Sequence, residues 1–441
     1  MNNTTTRDLQ IDARRIADSR GRDTVEVELT LGTAKAVGDV PAGASKGADE
    51  AQTVALEQAL KNIDEVILPM FRDADVDLRQ HAALVQLEEM LCARAGDNFR
   101  DLGANATLPV SRALWRLAAR LQGQELHAYM RAVEPDLARG SRVRFLMNIF
   151  NGGLHALKER DHEVLGRDRI DIQEIMVVPV GAATYAEALR MGDAIDAALQ
   201  SILVKTFAQT SVTRADEAGF SVKGLGDSTA AFRYVLDAIT AAGYKPGEDV
   251  QLSLDVAASS FYDPETKSYR FHGERLSTAA MIDYLVGLVD DHRGIILSVE
   301  DGLDENDWEG WSALSAELNE RGVITVGDDL FVTQLPRLER GIATAAAHAI
   351  LIKVNQNGTV HGTLQVMKRA REAGMHCVIS HRSGETLDDS IADLAYATGS
   401  WGLKTGDPQP EAAFPDKTAW VRRAKYLRMV AIEASPGPAC S

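Results

Sequence analysis

The sequence predicts an α/β protein in two parts, an N-terminal α+β portion followed by a larger portion built of β/α units around a parallel sheet. Three observations lead there. At 441 residues the chain is too long for a single small core. Its texture changes near residue 144, where short apolar runs begin to alternate with helical stretches. Those runs recur at intervals of roughly 25 to 45 residues, the length of one β/α unit with or without an insertion.

In the N-terminal portion, Val25 to Leu31 alternates as a strand does and meets the turn-forming Gly32. A small-residue loop from Pro41 to Gly47 follows the next strand. Ala51 to Val66 and Ala83 to Ala93 repeat apolar residues every three or four positions, which predicts amphipathic helices. Farther on, the runs Val250–Leu254, Ile295–Val299, Val323–Val326, Ala349–Ile352 and Cys377–Ser380 lead in turn to Asp255, Glu300, Asp328, Lys353 and His381. A shorter run leads to Lys404. A strand often ends in a polar residue simply because it meets solvent. In a (β/α)₈ barrel, however, the C-terminal strand ends converge on one mouth, where active sites sit. Three carboxylates, two lysines and a histidine at successive strand ends therefore form a constellation.

Bulk properties narrow the function. A net charge of -17 argues against nucleic acid as the main partner, because phosphate neutralisation needs surplus Lys and Arg. Cys92, Cys377 and Cys440 are scattered without ligand-like spacing, the pattern expected of a reduced, cytoplasmic protein. The first residues lack the apolar core of a signal peptide, and no run of about 18 apolar residues is present to span a bilayer, so no membrane role is expected.

Asp255, Glu300 and Asp328 offer hard oxygen ligands from consecutive units, suited to Mg²⁺, and no His or Cys cluster accompanies them to favour zinc. Lys353 follows one unit later; among a divalent cation and other positive charges its ammonium form is disfavoured, so it is expected to act as a base near neutral pH. Lys404 would supply part of that cationic environment or bind a substrate carboxylate. Metal beside lysine suggests enolate chemistry. Removing the proton next to a carboxylate places a second negative charge on that group, which a metal offsets while the lysine takes the proton.

Several long motifs carry a family resemblance. They include Asp18-Ser-Arg-Gly21 followed by Thr24-Val-Glu-Val27, Leu102-Gly-Ala-Asn-Ala106, Met147-Asn-Ile-Phe-Asn-Gly-Gly153 and Gln173-Glu174. Later come Ser298-Val-Glu-Asp301, Gly327-Asp-Asp-Leu330, Lys353-Val-Asn-Gln356, Ser380-His-Arg-Ser-Gly-Glu-Thr386 and Lys404-Thr-Gly406. On these the chain resembles enolase over almost its whole length. The resemblance implies an N-terminal α+β capping domain (1–138) on a modified (β/α)₈ barrel (139–441), assembled as a homodimer or larger homo-oligomer. It implies that Asp255, Glu300 and Asp328 hold one Mg²⁺, and that Ser45 meets a second arriving with substrate. Lys353 would be the base, and Glu217 the acid that helps hydroxide leave, assisted by Glu174. His155, Arg382 and Ser383 match positions that hold phosphate, Lys404 one that holds carboxylate, and His381 lines the same pocket.

The departures from the family cluster around that pocket. About ten residues are inserted within Ala156 to Ile170, a polar lid candidate carrying Lys158, Arg160, Arg167 and Arg169 against Glu159, Asp161, Glu163 and Asp168. The family's Gly-Asp-Glu-Gly-Gly has become Ala215-Asp-Glu-Ala-Gly219 after Arg214, which alters backbone freedom around Glu217. Ala42 and Lys46 replace small hydroxyl residues, Arg22-Asp23 replaces Asn-Pro, and Asp407 to Pro415 replaces a serine- and arginine-containing segment. Three functions follow as expectations. One is dehydration of 2-phosphoglycerate to phosphoenolpyruvate. Another is a specialised relative, similar to carboxyphosphonoenolpyruvate synthase, acting on a phosphonate or an additional small anionic substrate. The third is a non-catalytic binding protein on the same fold, which the retained Lys353, Glu217 and metal carboxylates argue against.

Overall fold

A computed structural model describes residues 4–43, 49–138, 142–156, 168–409 and 417–435. Ser45 and Lys46, most of the 156–170 insertion, residues 410–416, Cys440 and the expected boundary at 138/139 on its C-terminal side lie outside the described residues.

The chain opens with an antiparallel meander of β1 (Gln10–Ala17), β2 (Asp23–Leu31) and β3 (Ala34–Asp39). Val25, Val27, Leu29 and Leu31 of β2 are buried, while Glu26 and Glu28 between them pair with Arg14 on β1 and Lys35 on β3. Helices α1 (Leu56–Asn62), α2 (Leu68–Ala74), α3 (His81–Ala95), α4 (Ala104–Leu121) and α5 (Leu126–Val133) follow, with a π turn at Ile63–Ile67 joining the first two. The helix expected from Ala51 begins five residues later. Residues 51–55 stay extended because their backbone is engaged elsewhere: the Ala51 N–H donates to the Gln356 carbonyl (2.9 Å), and the Gln52 carbonyl accepts from the Ala104 N–H (2.7 Å). Helix α4 lies across β2 and β3, and at Gly38 a Cβ would sit 2.7 Å from the Ala113 backbone nitrogen and collide with the Pro109 carbonyl.

The second part starts with β4 (Arg144–Asn151) and β5 (Glu174–Val178), then α6 (Tyr185–Thr206), a short hairpin of β6 (Val212–Arg214) and β7 (Phe220–Val222), and α7 (Ser228–Ala241). After β8 (Gln251–Asp255) comes a small antiparallel sheet of β9 (Tyr262–Asp263), β10 (Ser268–Phe271) and β11 (Glu274–Leu276). Regular alternation then takes over: α8 (Thr278–Asp291), β12 (Ile296–Glu300), α9 (Trp308–Asn319), β13 (Ile324–Gly327), α10 (Leu335–Thr344) and β14 (Ala349–Ile352). The chain finishes through α11 (Val354–Asn357), α12 (Val360–Glu372), β15 (His376–Ser380), α13 (Ser390–Thr398), β16 (Gly402–Lys404) and α14 (Lys417–Ala434).

Eight of these strands form a closed ring in the order β4, β5, β8, β12, β13, β14, β15, β16, with β16 returning to pair with β4. The ring is not all parallel, which corrects the simple β/α reading. Strand β5 runs antiparallel to both β4 and β8, and among the described residues no α-helix separates it from β4. Its start, Glu174, consequently lies beside the end of β8, Asp255. Among the described residues, no helix is long and apolar enough to cross a membrane.

The N-terminal part docks over the mouth of the ring. The turn after β1 is held by Ser19, whose N–H donates to the Glu385 carbonyl (2.7 Å) and whose Oγ accepts from the Glu385 N–H (3.1 Å). Farther along, Ala42 and Gly384 exchange backbone hydrogen bonds.

Candidate active site

The strand ends surround a cavity of about 700 Å³, walled on one side by the turn after β1. Adjacent strands carry Asp255, Glu300 and Asp328: Glu300 is in register with Asp255, and Asp328 follows the end of β13, but the three do not bring ligand atoms within 4.8 Å of one another as a trio. All three are buried. The Lys404 Nζ bridges the first two, donating to Asp255 Oδ2 and Glu300 Oε1 at 2.8 Å each, with Glu174 Oε2 3.4 Å away. Burial opposes the charge on Lys404, yet these carboxylates outweigh it and hold its ammonium well above the usual lysine range. Burial, and then Asp255, push the Glu300 carboxyl well up.

Asp328 pairs with the Lys353 Nζ and also accepts from Gln356 Nε2 (3.2 Å). Sequence reasoning expected the Lys353 ammonium to be disfavoured. Here burial does oppose it, and Arg382 and Lys404 add to that, but direct contact with Asp328 wins and its pKa is raised. That balance is of the protein groups alone, with Asp328 in direct contact, whereas the expectation was for a site that also holds a divalent cation.

Among the described residues, two groupings bring three metal-competent atoms within 4.8 Å of one another: Asp301 with Asp328 and Asp329, and His155 with Glu174 and Glu217. Asp301 was in a quoted motif without a role. Its two carboxylate oxygens accept from the Asp328 N–H (2.9 Å) and the Asp329 N–H (2.8 Å), fixing the loop that carries Asp328. Five acidic side chains (Asp255, Glu300, Asp301, Asp328, Asp329) thus face two lysines. That surplus of hard oxygen donors fits a divalent cation such as Mg²⁺.

Glu217 sits in a turn between β6 and β7, in the left-handed region at φ 57°, as does Ala218 at φ 68°. Of the two family glycines lost here, the one replaced by Ala215 falls in extended backbone and costs nothing, whereas Ala218 occupies a conformation that glycine adopts more freely. The turn is braced from below: the Asp407 N–H donates to the Glu217 carbonyl (3.1 Å), and Arg214 Nη1 donates to the Ala218 carbonyl (3.0 Å).

The Glu217 carboxylate accepts from His381 Nε2 (2.8 Å) and Ser383 Oγ (3.3 Å), with His155 Nε2 4.0 Å away. Arg422 Nη1 lies 2.6 Å from His381 Nδ1. Arginine can only donate, so Nδ1 accepts and the hydrogen of the neutral ring resides on Nε2, aimed at Glu217. Burial, with Arg422 alongside, brings His381 down to about 4. Burial alone would raise Glu217, but the two histidines and Arg422 hold it well below the usual range, as a carboxylate. Glu174 goes the other way: burial, then Glu217, Asp255 and Glu300, raise it well up despite Lys404. Its Oε1 lies 3.3 Å from His155 Nδ1.

Arg382 is clamped by Glu50 through two hydrogen bonds of 3.1 and 3.2 Å, and donates to Asn355 Oδ1 (3.0 Å). Two family models match the chain, one described as the enolase N-terminal domain over residues 9–130, the other as the enolase C-terminal TIM barrel domain over residues 143–437. The chain belongs to the enolase family.

Seen as a family member, the chain has all its described sequence-nominated residues on one cavity or touching its walls: His155, Glu174, Glu217, Asp255, Asp328, Lys353, His381, Arg382, Ser383 and Lys404 line it, and Glu300 lies just beneath on Lys404. Ser45 lies outside the described residues. Glu50 and Arg422 were missed. Each reaches the site from a distant element, Arg422 fully buried on α14, and neither belongs to a strand-end pattern.

Proposed function

We propose that this enzyme of the enolase superfamily is magnesium-dependent and removes the proton α to a carboxylate of 2-phosphoglycerate, or a close analogue, to give an enolpyruvate product. The observation that carries this reading is the placement of Lys353 and Glu174. In the eight-strand ring, β14 and β5 stand four strands apart in either direction, so the two residues occupy opposite walls of one cavity. Lys353, in its neutral amine form, takes the proton on one side. The Glu174–Glu217 pair, one carboxyl kept protonated and the other ionised, serves the leaving hydroxide on the other side. His381 and Ser383 hold the Glu217 carboxylate in place.

Asp255, Glu300 and Asp328 would hold Mg²⁺, with Asp301 fixing the Asp328 loop and Ser45 reserved for a second ion. When bound, the metal offsets the second negative charge that develops on the substrate carboxylate. Arg382 and Ser383 receive the phosphate end and Lys404 the carboxylate end. A small phosphorylated or phosphonate substrate and a homo-oligomeric assembly accord with the family.

A specialised relative, similar to carboxyphosphonoenolpyruvate synthase, is a second reading. It is favoured by the cavity of about 700 Å³, roomy for a three-carbon phosphate, and by Arg22, a departure from the family that lines it. Exchange of the α-proton of 2-phosphoglycerate in deuterium oxide, followed by NMR, tests the shared chemistry. Lys353→Ala is expected to slow it by about 10²- to 10⁴-fold with unchanged circular dichroism; exchange at the wild-type rate would refute the assignment. Product analysis with and without phosphonoformate separates the two readings.

A further inference from the structure

The charges around the cavity do not balance evenly. Five cationic side chains other than histidine line it, and four of them are engaged by carboxylates. Arg20 pairs with Asp216, Lys353 with Asp328, Arg382 with Glu50, and Lys404 with Asp255 and Glu300. The fifth is Arg22. Among the described residues no carboxylate lies within 4.0 Å of its guanidinium, and the neighbouring Asp23 is taken by Arg15 (2.9 Å).

Arg22 is also firmly placed. Asp18 Oδ1 accepts from the Arg20 N–H (2.9 Å) and the Arg22 N–H (2.8 Å), the Asp18 N–H donates to the Arg22 carbonyl (2.8 Å), and Gly21 supplies the left-handed residue at φ 73° that closes the turn. Ser19 ties this turn to Glu385, and its Oγ donates to the Ser383 carbonyl (3.3 Å). A turn fixed on the segment that carries Arg382 and Ser383 therefore presents an exposed, unneutralised arginine on the wall of the same cavity.

We propose that Arg22 forms a second anion subsite in the outer part of the cavity, beyond Arg382 and Ser383, which takes the carboxylate or phosphonate group of an additional small anionic substrate. This deepens the second reading above and rests on it. A planar guanidinium presents paired donors that match either group bidentately, and a rim position keeps its own desolvation cost low. The three-carbon phosphate occupies the inner end, between Lys353 and Arg382, and leaves the outer wall to the second anion.

The test is isothermal titration of phosphonoformate into the full chain loaded with magnesium and saturated with 2-phosphoglycerate, so that the inner subsite is filled. Wild type is expected to bind. Arg22→Ala should weaken phosphonoformate about tenfold or more, and Arg22→Lys should recover part of that loss, while the Kd for 2-phosphoglycerate moves less than about twofold in both variants. Equal phosphonoformate affinity in wild type and Arg22→Ala overturns the proposal. So does parallel weakening of both ligands. Wild type that binds no phosphonoformate under these conditions defeats the second reading, and the subsite falls with it. Absence of α-proton exchange in wild type would instead defeat the enolate reading, a separate measurement with a separate outcome.

Discussion

Arg214 lies between two buried carboxylates, donating to both oxygens of Asp196 (2.5 and 2.6 Å) and to Asp407 Oδ2 (2.7 Å). Burial, then Asp196, push the Asp407 carboxyl well above its usual range. These three residues hold the left-handed turn of Glu217 through the Asp407 N–H and the Ala218 carbonyl. Arg214→Met would keep much of the side-chain volume and strand two carboxyls in the interior. The expected cost is about 3–5 kcal/mol in urea unfolding, and a loss under about 1 kcal/mol would show that the triad does not brace the turn. The sequence marked Arg214 and Asp407 as unusual without revealing that they meet, since 193 residues separate them. Strand-end residues such as Asp255 and Lys353 were legible because a repeating pattern placed them; Glu50 and Arg422 had no pattern to betray them.

At the scale of elements, the meander and α4 meet without a side chain between them at Gly38. The Cβ of an alanine there would press on the backbone of α4, at the Pro109 carbonyl and the Ala113 nitrogen, and helix backbone cannot give way as a flexible side chain can. Gly38→Ala is expected to destabilise the protein by about 1–3 kcal/mol, read as a lowered urea midpoint with an unchanged m value. An unaltered midpoint would mean that α4 can shift on the sheet. Element type was legible wherever period and length agreed: β2 falls where alternation put it, and α3 spans the expected 83–93. Two features were not. Residues 51–55 have a helical period but spend their hydrogen bonds on Gln356 and α4, a tertiary demand that local pattern does not carry. The reversed direction of β5 leaves no trace in its apolar run either, since both faces of a barrel strand are buried whichever way it points.

At the scale of the whole molecule, the N-terminal part and the barrel are joined at the start of α12. Thr359 caps the helix by accepting from the Gly362 N–H (3.1 Å), Ser111 Oγ on α4 accepts from the Val360 N–H (2.9 Å), and Glu88 on α3 accepts from the His361 N–H (2.6 Å). Three first-turn donors of a barrel helix are thus satisfied, two of them from the other part of the chain. Glu88 also accepts from Trp115 Nε1 (2.9 Å) and from Ser111. Burial raises the Glu88 carboxyl from 4.5 to about 7, against the pull of these three donors. Between those values the folded chain holds a proton on Glu88 that the unfolded chain has released, so stability must fall as pH rises. The contribution is complete below about pH 4.5 and gone once pH passes the folded value, and the span corresponds to about 3 kcal/mol. Glu88→Gln removes the titration. Its amide would set a donor against an existing donor, an added cost that does not vary with pH. The unfolding free energy of wild type relative to Glu88→Gln is therefore expected to decline from pH 4.5 to pH 7.5, measured by urea titration at each pH. A constant difference, or one that grows with pH, would place Glu88 ionised at the junction, with the N-terminus of α12 and the three donors outweighing burial.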